Sequence, residues 1–175
     1  MWLAPPVLSS SGWGAGAARP WRLVVWVSLA ASVLVSAIWA TLQAADMAGS
    51  WLLLPEVLGE TVFGHFVLVR AALLTLTAVA LAAGWGWAAV LFASLAVASL
   101  AGHTHAFAMQ DGPSWLLASD IAHLLAASAW LGGLVPLALL IAAAPPGIAA
   151  RASARFSGLG TVCVLVLAVT ASWQS

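Results

Sequence analysis

The run WLLASDIAHLLAASAWLGGLVPLALLIA, Trp115–Ala142, decides the fold. It is continuously apolar except for Asp120, His123 and a few small polar or helix-bending residues. A bilayer core is about 30 Å thick, so a helix that crosses it needs roughly 20 mostly apolar residues. This run is long enough, and it lacks the apolar–polar alternation of a barrel strand. It reads as a spanning helix.

Working outward from it, four more stretches have the same character: Leu23–Leu42, Phe66–Ala83, Trp87–Ala101 and Phe156–Ser172. The expected fold class is all-α, a polytopic transmembrane helical bundle with about five spanning helices. Residues 21–175 form that transmembrane domain, preceded by a flexible tail at 1–20. The tail does not read as a signal peptide. No charge precedes Arg19, and Pro and Gly interrupt its apolar residues. Gly12, Gly14 and Gly16 resemble a dinucleotide-binding fingerprint by letters only, since no βαβ pattern surrounds them.

Composition agrees. Of the 175 residues, 64% are hydrophobic and 6% charged, against roughly 25% charged in a soluble domain. Too few polar residues remain to cover a water-facing surface, so the partner is the lipid bilayer. Five basic residues balance five acidic ones. Scattered arginines form no phosphate-tracking stripe, which excludes a nucleic-acid partner. No P-loop or zincin motif and no paired nucleophile and base are present, so no enzyme is expected. Cys163 is the single cysteine and forms no internal disulfide.

Arginine bias sets the expected sidedness. Arg19 and Arg22 precede the first span, and Arg151 and Arg155 separate the fourth from the fifth. Five crossings put both pairs in the cytoplasm. The loop with Asp46, Glu56 and Glu60 and the loop with His103, His105 and Asp111 then face outward. Trp51, Trp85, Trp87 and Trp115 fall at span ends, where amphipathic indoles favour the headgroup zone.

Ionisable groups inside spans are costly and face protein or water. Arg70, Asp120 and His123 are in this position, with Glu60 and His65 at the outer mouth of the second span. Asp120 and His123 share a helix face. An Arg70–Asp120 pair beside His123 is one expected arrangement, with a purely structural clamp as the plainer alternative. Between the third and fourth spans lies Gly102-His103-Thr104-His105-Ala106-Phe107-Ala108-Met109. On an extended segment His103 and His105 point the same way and can offer two imidazoles to one metal. Met109 follows closely, and Met47 lies in the other outer loop. Imidazole with thioether favours copper over zinc. The plainer alternative is polar capping of the third span, with the methionines as apolar filler. In the fourth span Ala129/Gly133 and Ser128/Gly132 are small-xxx-small pairs, and Pro136 removes the hydrogen bond to the carbonyl of Gly132.

The stretch from Asp120 through His123 and Trp130 to Gly132, Gly133 and Pro136 resembles the signature of the CopD copper-resistance membrane family, an Asp-x-x-His followed by Trp-x-Gly-Gly. Gly102-His103 is similar to that family's Gly-His, and Gly64-His65 with Arg70 to its helix opening. Arg155-Phe156-Ser157 resembles the start of its C-terminal conserved portion. The resemblance runs from about Trp21 onward and implies a plasma (inner) membrane protein that handles copper beside a periplasmic CopC-like partner. It further implies a shortened homologue or a fragment, since family members are longer. His103 and His105, with Met109 or Met47, are the expected capture site, and His123 and His65 the inner one. Asp120, Arg70 and Trp130 play supporting roles. Two rival readings remain at this stage. One is a cytochrome b with His65 and His123 as axial haem ligands. The other is a non-transporting assembly or interaction subunit.

Overall fold

The computed structural model describes residues 14–103 and 114–174. In chain order the elements are α1 (Gly14–Ala48), a 3-10 turn (Trp51–Leu53), α2 (Leu54–Glu60), α3 (Val62–Ala82), α4 (Gly86–Ala98), a second 3-10 turn (Ser99–His103), α5 (Ser114–Ala143) and α6 (Pro146–Gln174). Among the described residues there is no strand. Four helices are long and apolar enough to cross a membrane: Trp21–Ala48, Val62–Ala82, Trp115–Ala142 and Pro146–Trp173. The chain is a multi-pass helical membrane protein.

The expected third span, Trp87–Ala101, is the exception. Its apolar stretch, Gly86–Gly102, is shorter than the others. It consists of 13 α-helical residues followed by 5 in the 3-10 form. At rises of about 1.5 Å and about 2.0 Å per residue these add to about 30 Å, the thickness of the hydrocarbon core. The five residues of the turn carry the helix on from near two thirds of that thickness, and their tighter winding adds about 2.5 Å over the α form.

Two helices begin earlier than hydropathy marks. α6 starts at Pro146, ten residues before the apolar run at Phe156, so Arg151 and Arg155 lie on helix rather than in a loop. Pro146 suits a first helical position because its missing N–H has no helical partner to lose. The Pro145 carbonyl accepts from Ile148 N at 2.9 Å and Ala149 N at 3.1 Å. The alanine-rich segment that follows propagates helix well. Likewise α1 takes in residues 14–20 of the expected tail; residues 1–13 lie outside the described residues.

Contacts divide the chain into two compact units, Val25–Leu117 and Ala118–Ser175 with Met1–Val24. In the first, α1 and α3 run antiparallel, paired by an edge-on Trp39–Phe63 contact with centroids 5.1 Å apart. α3 and α4 are joined through Gly84 at φ +76. Trp85 N donates to the Ala80 carbonyl at 2.8 Å and Gly84 N to Leu81 at 3.2 Å, the two bonds of a Schellman cap. The buried residues are mostly small, among them Ala40, Ala44, Thr77, Ala80, Ala89 and Ala96. Small residues let helices approach closely where lipid gives no hydrophobic drive between them.

In the second unit α5 and α6 also run antiparallel. A side chain at Gly133 would collide with the Phe156 ring, and the Trp130 indole lies 3.7 Å from where a Cβ on Gly160 would sit. Buried positions recur seven residues apart on both helices: Ser119 and Ala126 on α5, Cys163 and Thr170 on α6. Further along the pair, His123 of α5 meets Thr170 of α6. Pro136 lies inside α5.

Candidate functional site

The polar groups of the first unit begin at the α2–α3 corner. Thr61 caps α3: its Oγ1 accepts from Gly64 N at 2.9 Å and donates to the Val57 carbonyl at 2.6 Å. Gly64 is buried, and a Cβ there would collide with the backbone of Val57 and Leu58. Glycine is what lets α2 press against the first turn of α3. That contact turns the exposed His65 ring back toward α2, where Nε2 donates to the Gly59 carbonyl at 3.1 Å. A carbonyl only accepts, so Nε2 carries the hydrogen and Nδ1 keeps the lone pair in the neutral ring.

One residue on, the Phe66 ring sits where a side chain at Gly102 would go. This brings together two pieces of sequence separated along the chain, Gly64-His65-Phe66 and Gly102-His103. His103 ends the second 3-10 turn. Its side chain, together with His105 and Met109, lies outside the described residues. Met47 is exposed in the last turn of α1.

Arg70 sits two turns into α3 and binds two helices at once. Nε donates to Ser36 Oγ of α1 at 3.0 Å, and Nη1 to the Ala96 carbonyl of α4 at 3.4 Å. Ser36 passes its own hydrogen to the Ser32 carbonyl at 2.7 Å. The Ala96 carbonyl also accepts from Ser99 Oγ at 2.8 Å, where α4 tightens into the 3-10 turn. The guanidinium thus pins three helices at the point where α4 changes winding. Asp120, its expected partner, belongs to the other unit.

In the second unit His123 is half-buried on α5, and its Nδ1 lies 2.8 Å from Thr170 Oγ1 of α6. Thr170 is 4% exposed, and its hydroxyl donates to the Val166 carbonyl at 2.8 Å. Asp120 lies three residues before His123, and Trp130 is half-buried two turns after it. Ser119 is 4% exposed. Among the described residues its Oγ is the one buried side-chain polar atom without a hydrogen-bond partner. Ser119 and Thr170, uncharged hydroxyls in apolar runs, do not stand out in the sequence as Asp120 and His123 do. The short Ala144-Pro145 turn was the available signal, because a tight antiparallel pair about it sets His123 against the 166–170 turn of α6.

Among the described residues no group of three or more His, Cys, Asp or Glu side chains is gathered closely enough to hold a metal ion. Among the described residues, the imidazoles of His65 and His123 each have one ring nitrogen hydrogen-bonded. That is the usual state of a histidine ready to ligate, and imidazole suits copper.

Residues 1–115 match the family described as "Copper resistance protein D-like, N-terminal domain". The match covers more than half of the chain, which belongs to that family. It takes in α1 to α4, His65, His103, His105 and Met109, whereas the Asp120–Pro136 stretch that carried most of the resemblance lies beyond it. No curated protein and no solved structure matches the chain.

Proposed function

We propose that this copper-resistance membrane protein takes up a copper ion at the periplasmic face of the plasma membrane and passes it into the helical bundle. His103 and His105, with Met109 or Met47, make the capture site. His65 in the one unit and His123 in the other are further ligands along the way, and Asp120, three residues before His123, supplies a negative charge that favours a cation. The reading rests chiefly on the family match, because the matched residues include the whole His103–Met109 segment. Thioether and imidazole donors are the combination that selects copper over harder cations.

Sidedness follows from the arginines. Arg151 and Arg155 are exposed, four residues apart on the overhang of α6, and Arg22 is exposed near the start of the first span. Five crossings, counting α4 with its 3-10 extension, keep both groups in the cytoplasm and the histidine loop outside. A secreted CopC-like protein is the fitting donor or acceptor at that face. The protein carries its cargo without chemical conversion and is not an enzyme.

Metal analysis of the purified protein tests the capture site. The parent is expected to retain copper, and a His103→Ala/His105→Ala double variant to lose most of it. A double variant that binds copper like the parent overturns the entry site.

A further inference from the structure

The His123–Thr170 contact carries more information than its length. A threonine hydroxyl has one hydrogen. Thr170 directs it to the Val166 carbonyl at 2.8 Å, the ordinary way a hydroxyl inside a lipid-embedded helix satisfies itself. With that hydrogen used, Thr170 Oγ1 meets His123 Nδ1 at 2.8 Å as an acceptor. Nδ1 therefore carries the ring hydrogen, and Nε2 is left with an open lone pair. His65 has the opposite arrangement, with Nε2 bonded to Gly59.

A second, independent observation lies one turn earlier on α5. Ser119 precedes His123 by one turn on the same face of α5. Its buried hydroxyl has no partner. A serine in a lipid-embedded helix ordinarily reaches the carbonyl four residues back, as Ser32, Ser36 and Thr170 do here. Leaving a buried hydroxyl unpaired is unfavourable.

We infer that Thr170 is a positioning residue: it locks His123 in the Nδ1–H tautomer so that Nε2 presents its lone pair to copper, with the unpaired Ser119 hydroxyl one turn earlier on the same helix face as a second polar group for the ion. This rests on the copper-handling reading and assigns the inner site its supporting groups. Hydrogen bonds to the second nitrogen of a ligating histidine fix ring orientation and strengthen the ligand, and their loss weakens metal affinity about tenfold to a hundredfold.

The test uses the full chain in detergent with nitrogen-15-labelled histidine. Four histidines are present, so a His123→Gln variant assigns the signal. The parent is expected to show His123 with Nδ1 protonated. Thr170→Val, similar in shape but unable to accept, is expected to shift the ring toward Nε2–H, and Thr170→Ser to preserve the parent state. Buffered Cu(I) is expected to perturb His123 Nε2 in the parent, to bind about tenfold to a hundredfold more weakly in Thr170→Val, and to recover in Thr170→Ser. A parent protonated at Nε2, or a tautomer unmoved by Thr170→Val, overturns the positioning role whatever the copper result. An expected tautomer shift with unchanged Cu(I) affinity overturns its link to the metal. A His103→Ala/His105→Ala variant that keeps copper defeats the capture reading alone, since the His123 signals report separately.

Discussion

The two units treat their buried polar groups in opposite ways. In Val25–Leu117 the conspicuous charge is closed off: Arg70 bonds Ser36 and the Ala96 carbonyl, Ser36 passes on to Ser32, and Ser99 shares the same carbonyl. In Ala118–Ser175 the chain of bonds is open at its ends. Thr170 joins His123 to Val166, but the second nitrogen of His123 and the hydroxyl of Ser119 are left over. A closed network holds helices together. An open one leaves hydrogen-bonding capacity unused inside the membrane.

That contrast breaks most sharply at the glycines. Gly64→Ala drives a methyl group into the backbone of Val57 and Leu58, which cannot swing aside. It is expected to cost about 3 kcal/mol, read by denaturant unfolding in detergent. A cost near zero would show that α2 is not pressed on α3. Arg70→Leu removes the three-helix pin and is expected to cost about 2 kcal/mol with copper content unchanged. If Arg70→Leu empties the protein of copper but unfolds like the parent, the closed network is functional and the comparison fails. Gly133→Ala meets only the Phe156 ring, which can turn, so about 1 kcal/mol is expected. The smallest effect has the opposite sign. Ser119→Ala deletes an unpaired buried hydroxyl and is expected to stabilise the metal-free protein by under about 1 kcal/mol while weakening copper binding. Destabilisation of the metal-free form would mean that Ser119 has a partner after all.

The four long spans were legible because a lipid solvent imposes a length and a composition that no local detail overrides. Hydropathy finds the slab of membrane, however, and not the ends of hydrogen bonding. This is why Arg151 and Arg155 read as loop although α6 begins at Pro146. The same limit hid the winding change at Ser99–His103, which alters rise without altering composition. The family was legible, and the residues that match its N-terminal domain include Gly64-His65 and Gly102-His103, which the structure joins through Phe66. Thr170 was not legible: in sequence it is one more hydroxyl in an apolar run, and only the helix opposite gives it a task.

The Gly84–Trp85 turn bears on how the chain is made. With both of its bonds folded back onto Ala80 and Leu81, it leaves α3 and α4 no slack linker. Thirteen α-helical residues are a weak hydrophobic signal for a nascent chain to be retained in lipid on their own. Held in a hairpin, they are expected to enter as a single body with the longer α3.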